Sequence, residues 1–244
     1  LQFLMGEQGI EAGLISLGLT DNAYRPGYIV ARGHLLHANV QQWINVVNRY
    51  NGFREQAIKA ENSQRLIADI DGIHIRNLDL YGYTMQDARF FASDKLTGWQ
   101  LRLEQQHLSG SLLLDHQPDV PIALAIDNID IEKVMSKARV IKSDSTPLSS
   151  DALPAVDVLV HNISANGQSF GSGRFLLRSE EGVLQFKDIH AVVHQLEFGE
   201  LSKNSPCILQ WHLAENPKTD FTCRIRSSAV DQALVGFELP PMVV

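Results

Sequence analysis

The segment Gly98-Trp99-Gln100-Leu101-Arg102-Leu103-Glu104 decides the fold of this chain, because its apolar and polar side chains alternate strictly. Alternation with a period of two places one set of side chains on each face of a β-strand. Similar runs recur along the chain, with turn-forming residues between them. These runs include Ile122–Ile126, Val156–Val160, Phe175–Leu177, Leu184–Phe186 and Cys207–Leu213.

This pattern predicts a mainly β fold: a strongly twisted, curved antiparallel sheet that forms an open β-groove, with two or more short helices. The apolar positions change phase within two runs, Ile70–Ile73 and Ile75–Leu78. A phase change keeps apolar side chains on one face only where the strand bulges, and repeated bulges bend a sheet. We therefore favour a rolled sheet over a flat sandwich.

Helical spacing of apolar residues predicts a helix over 38–50, with Asn39 as its N-cap, and a second helix over 228–237. The polar stretch 133–153 predicts a mobile loop. Because the chain starts with leucine instead of methionine, we expect it to be part of a longer protein. We treat 1–244 as a single β-groove segment. Its parts are a strand-helix unit at about 28–50, a meander at about 66–213 that contains the loop, and a closing strand-helix unit at about 221–237.

A shift of 85 residues superposes several strand residues on one another. It carries Ile73 to Val158 and Arg89 to Arg174, and it places Thr84 under Ser169. Such self-similarity is typical of repeated structural units. Alternating strands also match by chance, so the sequence leaves open whether the repeat is real.

Composition excludes several classes of function. Hydrophobic residues make up 44% of the chain and charged residues 20%, which is ordinary for a globular protein. The net charge of −7 and the 7% of aromatic residues argue against nucleic acid as a partner. Cys207 and Cys223 lie among alternating apolar residues, which favours buried free thiols, with one disulfide as the alternative.

No segment carries a convincing catalytic or metal-binding pattern. Gly167-Gln168-Ser169-Phe170-Gly171 has the form G-x-S-x-G, but a strand instead of a helix is predicted after the serine. His190 and His194 are predicted to share a strand face, about 13 Å apart, which is too far for one ion. Asp127, Asp130 and Glu132 lack the glycine of a calcium loop. We therefore predict no enzyme, no catalytic residue, no metal and no cofactor.

A large alternating apolar face remains to be explained. One interpretation is an ordinary closed core, and the other is a trough in which lipid tails replace the second layer. A buried hydrocarbon chain gains roughly 0.8 kcal/mol per CH₂ without directional contacts. The candidate lipid-binding residues of this face are Ile73, Ile75, Leu101, Leu103, Leu112, Leu114, Leu124, Ile126, Val158, Val160, Phe175, Leu177, Leu184 and Phe186.

The chain resembles the large YhdP-like branch of the AsmA-like proteins of Gram-negative bacteria. The resemblance covers about Tyr28 to Val244 and is carried mainly by the order of its segments. These are the strand-turn-Gly pattern of Leu66–Gly82, Gly98–Leu103 running into Leu108–Leu112, Asp151–Val158, Phe170–Phe175 and the closing strand-helix segment Phe221–Phe237. The resemblance assigns no structure or role to the glycine-rich segment Leu1–Asn22.

The resemblance implies a long periplasmic protein, tethered to the inner membrane by a segment outside this chain, that carries phospholipid between inner and outer membranes. Its implied partners are phospholipid acyl chains and the remainder of the same long chain. Contact with the membrane is implied as well, through parts of the protein outside this chain. The implied role is outer-membrane lipid homeostasis and maintenance of the permeability barrier. One alternative is a non-catalytic scaffold or binding module in envelope or outer-membrane protein assembly, and another is a hydrolase that uses Ser169.

Overall fold

The computed structural model describes residues 2–6, 9–18, 23–40, 42, 66–80, 83–95, 97–117, 119–138, 154–165, 167–180, 182–199, 206–212 and 218–230. The predicted mainly β architecture is confirmed. The chain divides into two compact units. Unit 1 comprises Leu1–Gln106 with Lys137–Ile141, and unit 2 comprises His107–Ser136 with Lys142–Val244.

Unit 1 contains six strands that pair in chain order. The β2–β3 and β3–β4 pairs are parallel, whereas β1–β2, β4–β5 and β5–β6 are antiparallel. The strands are β1 (Gln2–Gly6), β2 (Gly9–Leu17), β3 (Tyr28–Asn39), β4 (Ile67–Leu80), β5 (Tyr83–Asp94) and β6 (Gly98–Glu104).

Unit 2 contains nine strands and most of one short helix. Strands β7 to β12 pair in chain order, β15 pairs with β12, and β13 pairs with both β11 and β14. The elements are β7 (Leu108–Asp115), β8 (Ile122–Asp130), α1 (Ile131–Ala138), β9 (Val156–Ala165), β10 (Gln168–Glu180), β11 (Val183–Val193), β12 (Leu196–Phe198), β13 (Cys207–His212), β14 (Lys218–Thr222) and β15 (Ile225–Ser227).

The prediction of a purely antiparallel sheet is wrong, because the strand pairing is mixed. Strand β9 runs parallel to β8, and β4 runs parallel to β3. Parallel neighbours need a crossover of about a dozen residues or more, and 40–66 and 131–155 provide that length. Alternation of apolar residues marks a strand but carries no information about its direction.

The described part of the chain contains one short helix, α1, in place of the two or more that were predicted. Asp130 caps this helix, since its Oδ1 accepts a hydrogen bond from the backbone N–H of Lys133 at 3.1 Å. Residues 133–138 of the predicted loop are therefore helical, and 139–153 lie outside the described residues. The predicted helices at 38–50 and 228–237 lie almost wholly outside them as well. Asn39 accepts a bond from the backbone N–H of Gln42, as predicted for an N-cap.

Strand register confirms the 85-residue repeat. The facing pairs Ile73–Phe90 and Ala92–Leu101 in unit 1 correspond to Val158–Phe175 and Leu177–Phe186 in unit 2. Each repeat consists of two parallel strands joined by a crossover, followed by two antiparallel strands. The first strand of each repeat is related by a shift of 91 residues, which carries Leu35 to Ile126, whereas their partners Ile75 and Val160 are related by the shift of 85. The chain between these two paired positions is thus six residues longer in unit 1.

The phase change at Ile70–Ile73 is produced by a β-bulge, as predicted. The register of β4 against β5 shifts between these two residues, and Gly72 has a φ of +67°. Glycine adopts this left-handed conformation without the steric penalty of a Cβ atom. The bulge keeps Ile70 and Ile73 on the same face of unit 1.

Candidate functional site

The ten candidate residues in unit 2 lie on one face of its sheet. Leu112 faces Leu124, Leu124 faces Val158 and Val158 faces Phe175. Facing residues on neighbouring strands point to the same side of a sheet. An apolar row therefore crosses four strands, β7 to β10.

Two further rows flank the first one. Leu177 faces Phe186, and Ile126 faces Val160. Leu114 and Leu184 each lie two residues from a member of a row, so they share its face. The rings of Phe175 and Phe186 contact each other at a centroid distance of 5.5 Å.

Most of this apolar face retains access to solvent. Val158 and Val160 are 5% and 8% exposed, whereas the other eight residues are half-buried. Exposure rises toward the edge of the sheet, where Trp211 and Phe221 are 44% and 52% exposed. The chain leaves apolar area here that a hydrocarbon ligand could cover.

The four candidate residues in unit 1 also share one face. Phe90 lies between Ile73 and Leu103, and Leu101 faces Ala92. Ile73 and Ile75 are 0% and 2% exposed, so they belong to a closed interior, while Leu101 and Leu103 are half-buried. The closed-core interpretation therefore holds for the first two residues.

The structure also reveals face residues that sequence reasoning missed. Ala88 and Met85 are buried with Ile75 and Leu78 in unit 1. In β5, Asp87 has a φ of +53° and separates Met85 from Ala88, which breaks the simple alternation between them. A search for strict alternation does not place Met85 and Ala88 on one face, because they are three residues apart. The only signal in the sequence is Asp87, since aspartate tolerates a positive φ.

The opposite face of the strands is more polar in both units, although in unit 2 it also includes exposed apolar side chains such as Leu113 and Leu159. Arg102 in β6, Asp157 in β9 and Arg178 in β10 are exposed, and each is adjacent in sequence to a face residue.

Ser169 is held in a polar chain that has no catalytic geometry. Its hydroxyl donates to Oδ1 of Asn162 at 2.6 Å, and Nδ2 of Asn162 donates to Oδ1 of Asn128 at 2.7 Å. Gly167 forms the turn before β10, and Ser169 lies in that strand. An amide oxygen cannot act as the general base that a nucleophilic serine needs.

Three histidines lie near aspartates, at 3.6 Å for His74–Asp87, 3.7 Å for His107–Asp130 and 3.4 Å for His212–Asp220. Within the described residues, no three His, Cys, Asp or Glu side chains are grouped as metal ligands. The prediction that His190 and His194 share a strand face is wrong, because His194 lies in the turn after β11.

The carboxyl group of Asp220 has a lowered pKa. The Lys218 ammonium donates a hydrogen bond to this carboxylate at 2.9 Å, which favours its charged form. His212 acts in the same direction. This site lies on the β13–β14 hairpin, where Asp220 faces Gln210.

Cys207 and Cys223 form a disulfide, so the interpretation as free thiols is wrong. Cys207 is fully buried in β13, and Cys223 directly follows β14. The bond links the start of β13 to the segment before β15. Alternating apolar neighbours indicated burial correctly but contained no information about pairing.

Unit 1 contains a polar cavity of about 600 Å³ at one end of β3, β4 and β5. Its lining includes Arg25, Tyr28 and Asp69. Arg25 lies 3.4 Å from the centroid of the Tyr28 ring and forms an ion pair with Asp69 at 3.1 Å. The positive charge of Arg25 is thus neutralised by Asp69.

A family model described as YhdP protein matches the chain over residues 1–244. The chain belongs to the YhdP family. The predicted resemblance is confirmed, and the match includes the N-terminal region that sequence reasoning left unassigned. In this YhdP-family chain, much of that region forms β1 and β2. No curated protein and no solved structure matches the chain significantly.

Family membership identifies the chain as an AsmA-like envelope protein. Among the described residues of this YhdP-family chain, none of the helical segments has the length and hydropathy needed to cross a bilayer.

Proposed function

We propose that this chain is a segment of a periplasmic protein that carries phospholipid between the inner and outer membranes along an apolar β-groove, without catalysis. The observation that carries the proposal is the apolar face of unit 2, where ten aliphatic and aromatic side chains share one side of the sheet. Such transport would support outer-membrane lipid homeostasis and the permeability barrier.

The chemistry of this face suits an acyl chain. Its residues are aliphatic or phenyl side chains without hydrogen-bonding groups, and eight of the ten are half-buried. Each CH₂ group covered there gains roughly 0.8 kcal/mol, and this gain does not depend on orientation. A surface without directional contacts permits a tail to slide, because successive positions have similar energies.

The disulfide supports a periplasmic location. Disulfides persist in oxidising compartments such as the bacterial periplasm and are rare in the cytosol. The Cys207–Cys223 bond lies at the edge of unit 2, where it secures the β13–β14 hairpin. We further propose that a segment outside this chain tethers the protein to the inner membrane.

The absence of catalysis is supported by the surroundings of Ser169. Its hydroxyl is bonded to an amide oxygen, and the side chain is exposed on a strand. A fluorophosphonate probe should therefore leave Ser169 unlabelled. Labelling that disappears in Ser169→Ala would instead support the hydrolase alternative.

Native mass spectrometry of protein purified from cells tests the conduit. The unmodified protein should retain phospholipid, and Leu124→Gln should reduce its occupancy about 2- to 30-fold, because a buried amide costs roughly 0.5–2 kcal/mol. Leu159→Gln is the matched control, since Leu159 lies on the opposite face and is 41% exposed. Repeated preparations without lipid, or equal losses in both variants, would contradict the proposal.

A second candidate function is a scaffold in envelope assembly, and the exposed residues of β1 favour it. Phe3, Leu4 and Met5 are 44%, 40% and 66% exposed, and among the described strands β1 pairs with β2 alone. Edge strands of this kind bind partner strands by β-augmentation. Met5→Pro should abolish co-purification of a partner β-protein while leaving lipid occupancy unchanged.

A further inference from the structure

The two cysteines of the Cys207–Cys223 disulfide differ in their exposure to solvent. Cys207 is 0% exposed, whereas Cys223 is half-buried. This difference matters for thiol chemistry, because thiol–disulfide exchange needs direct access to the sulfur atom that reacts. Neither residue takes part in the proposed lipid transport.

Cys207 is enclosed by neighbouring parts of unit 2. It faces Ile189 of β11, and its Sγ atom lies 4.0 Å from the backbone oxygen of Arg224. Gly199, which follows β12, also approaches closely, since a Cβ atom at position 199 would lie 3.2 Å from the backbone nitrogen of Cys207. A reagent therefore has no direct path to this cysteine while β13 is paired with β11.

Cys223 lies in a less constrained part of the chain. Residues 223 and 224 belong to no strand and connect β14 to β15. Among the described strands, β14 pairs with β13 alone, so a partner can approach this segment from the edge of the sheet. The Cα atoms of the two cysteines are 4.2 Å apart, which lets a Cys207 thiol reach Cys223 without any change in strand pairing.

We propose that Cys223 is the site at which this chain exchanges disulfides with an oxidant that carries a disulfide, and that Cys207 is the resolving cysteine. The Cys223 thiolate attacks the disulfide of the oxidant, so a mixed disulfide forms and one oxidant sulfur leaves as a thiolate. The Cys207 thiolate then attacks Sγ of Cys223, which closes the Cys207–Cys223 bond and releases the second oxidant sulfur as a thiolate. Two electrons pass to the oxidant, and the two protons lost by the cysteines convert its thiolates into thiols.

This order makes different demands on the two residues. The first thiol must meet a molecule from solution, and Cys223 has the exposed surface for that encounter. The second thiol must meet only Cys223, its neighbour within the chain, so burial of Cys207 does not hinder the closing step. The reverse order would require β13 to separate from β11 before each exchange.

Glutathione disulfide is the probe that tests this order. The variants Cys207→Ala and Cys223→Ala each keep one thiol, so a mixed disulfide with glutathione accumulates and intact mass spectrometry follows its formation. Cys207→Ala should react at least about tenfold faster than Cys223→Ala, because a buried thiol reacts only in the small fraction of molecules whose segment has opened. In denaturing urea the two variants should react at similar rates, which controls for the intrinsic reactivity of each thiol.

The unsubstituted chain provides a second measurement. After reduction with dithiothreitol and brief exposure to glutathione disulfide, acid quenching and alkylation trap the first mixed disulfide. Cleavage by trypsin after Lys203, Lys218 and Arg224 places the two cysteines on separate peptides, 204–218 and 219–224. The glutathione adduct should lie on the peptide that contains Cys223. Hydrogen exchange of the reduced protein should show that the amides of β13 retain protection.

Two results would overturn the proposal directly: equal rates in the two folded variants, or adducts mainly on the 204–218 peptide. A reduced chain in which β13 exchanges its amide hydrogens as fast as an unfolded chain would also overturn it, because Cys207 would then be as accessible as Cys223. None of these measurements depends on lipid, so they succeed or fail independently of the proposed transport.

Discussion

The two repeats of this chain share one strand arrangement but differ in how their apolar faces are packed. In unit 1, Ile73 and Ile75 are enclosed almost completely. In unit 2, their counterparts Val158 and Val160 are smaller and slightly more exposed, and most of the surrounding face is half-buried. The same topology thus supports a closed interior in one repeat and an accessible apolar surface in the other. We expect the first to contribute mainly to stability, and the proposed lipid binding concerns the second.

The largest effect should come from truncating the closed interior. Ile73→Ala should lower the free energy of unfolding by about 2–5 kcal/mol, because it removes buried groups and leaves a cavity. Its repeat counterpart Val158→Ala removes the equivalent of about two CH₂ groups and should cost roughly 1.6 kcal/mol. Denaturant unfolding of both variants measures the difference. A cost at Val158 of two thirds of the cost at Ile73 or more would contradict this difference, because Val158→Ala removes two carbons and Ile73→Ala removes three.

Removal of the disulfide should lower the stability of unit 2 and leave that of unit 1 unchanged. A disulfide that closes a loop of this length stabilises the folded state by about 2–4 kcal/mol, mainly because it lowers the entropy of the unfolded chain. Since both cysteines are in unit 2, Cys223→Ser should lower hydrogen-exchange protection in β11 and β13. Protection in β4 and β5 of unit 1 serves as the internal control. A uniform loss of protection would show that the units unfold together.

The bulge at Gly72 is a smaller difference between the repeats. Gly72→Ala should destabilise by about 1–2 kcal/mol, because alanine pays this penalty in the left-handed conformation. Its Cβ would also lie 3.1 Å from the Phe91 ring. Asp157 occupies the corresponding position in unit 2, in a regular and exposed part of β9. Asp157→Ala should change stability by less than about 0.5 kcal/mol in the same unfolding experiment.

The smallest effect concerns the exposed hairpin of unit 2. Lys218→Gln should raise the pKa of Asp220 toward its ordinary value of about 3.9, because the main cause of the lowered pKa is lost. The stabilisation from this pair is present above the ordinary pKa and is lost as pH falls through the lowered pKa. Carboxyl NMR titration measures the shift. Lys187→Gln, on β11, should leave the Asp220 pKa unchanged.

The sequence predicted the local features of both repeats better than their connections. Alternation located the strands, and the phase change at Ile70–Ile73 revealed a bulge, because both signals depend on neighbouring residues. Parallel pairing of β8 with β9 depends on a long crossover, which alternation does not record. Helix α1 was missed because polar residues after Lys133 concealed it, although Asp130 and Glu132 form a recognisable helix start.

The sequence also predicted which candidate residues share a face, but it did not predict how deeply each of them is buried. Period-two spacing fixes which residues share a face, so Leu124, Val158 and Phe175 were correctly placed together. Burial depends on what packs above the face, and the pattern within one strand carries no such information. The Cys207–Cys223 bond likewise emerged only from the structure, because it depends on which strands lie side by side.

Photo-crosslinking in cells tests the central claim most directly. Leu177 lies on the apolar face and Arg178 on the polar face of the same strand, one residue apart. With p-benzoylphenylalanine in place of Leu177, irradiation should yield covalent phospholipid adducts, and the same group in place of Arg178 should yield few or none. Equal adducts at both positions, or none at position 177 in protein that is folded and abundant, would contradict the account.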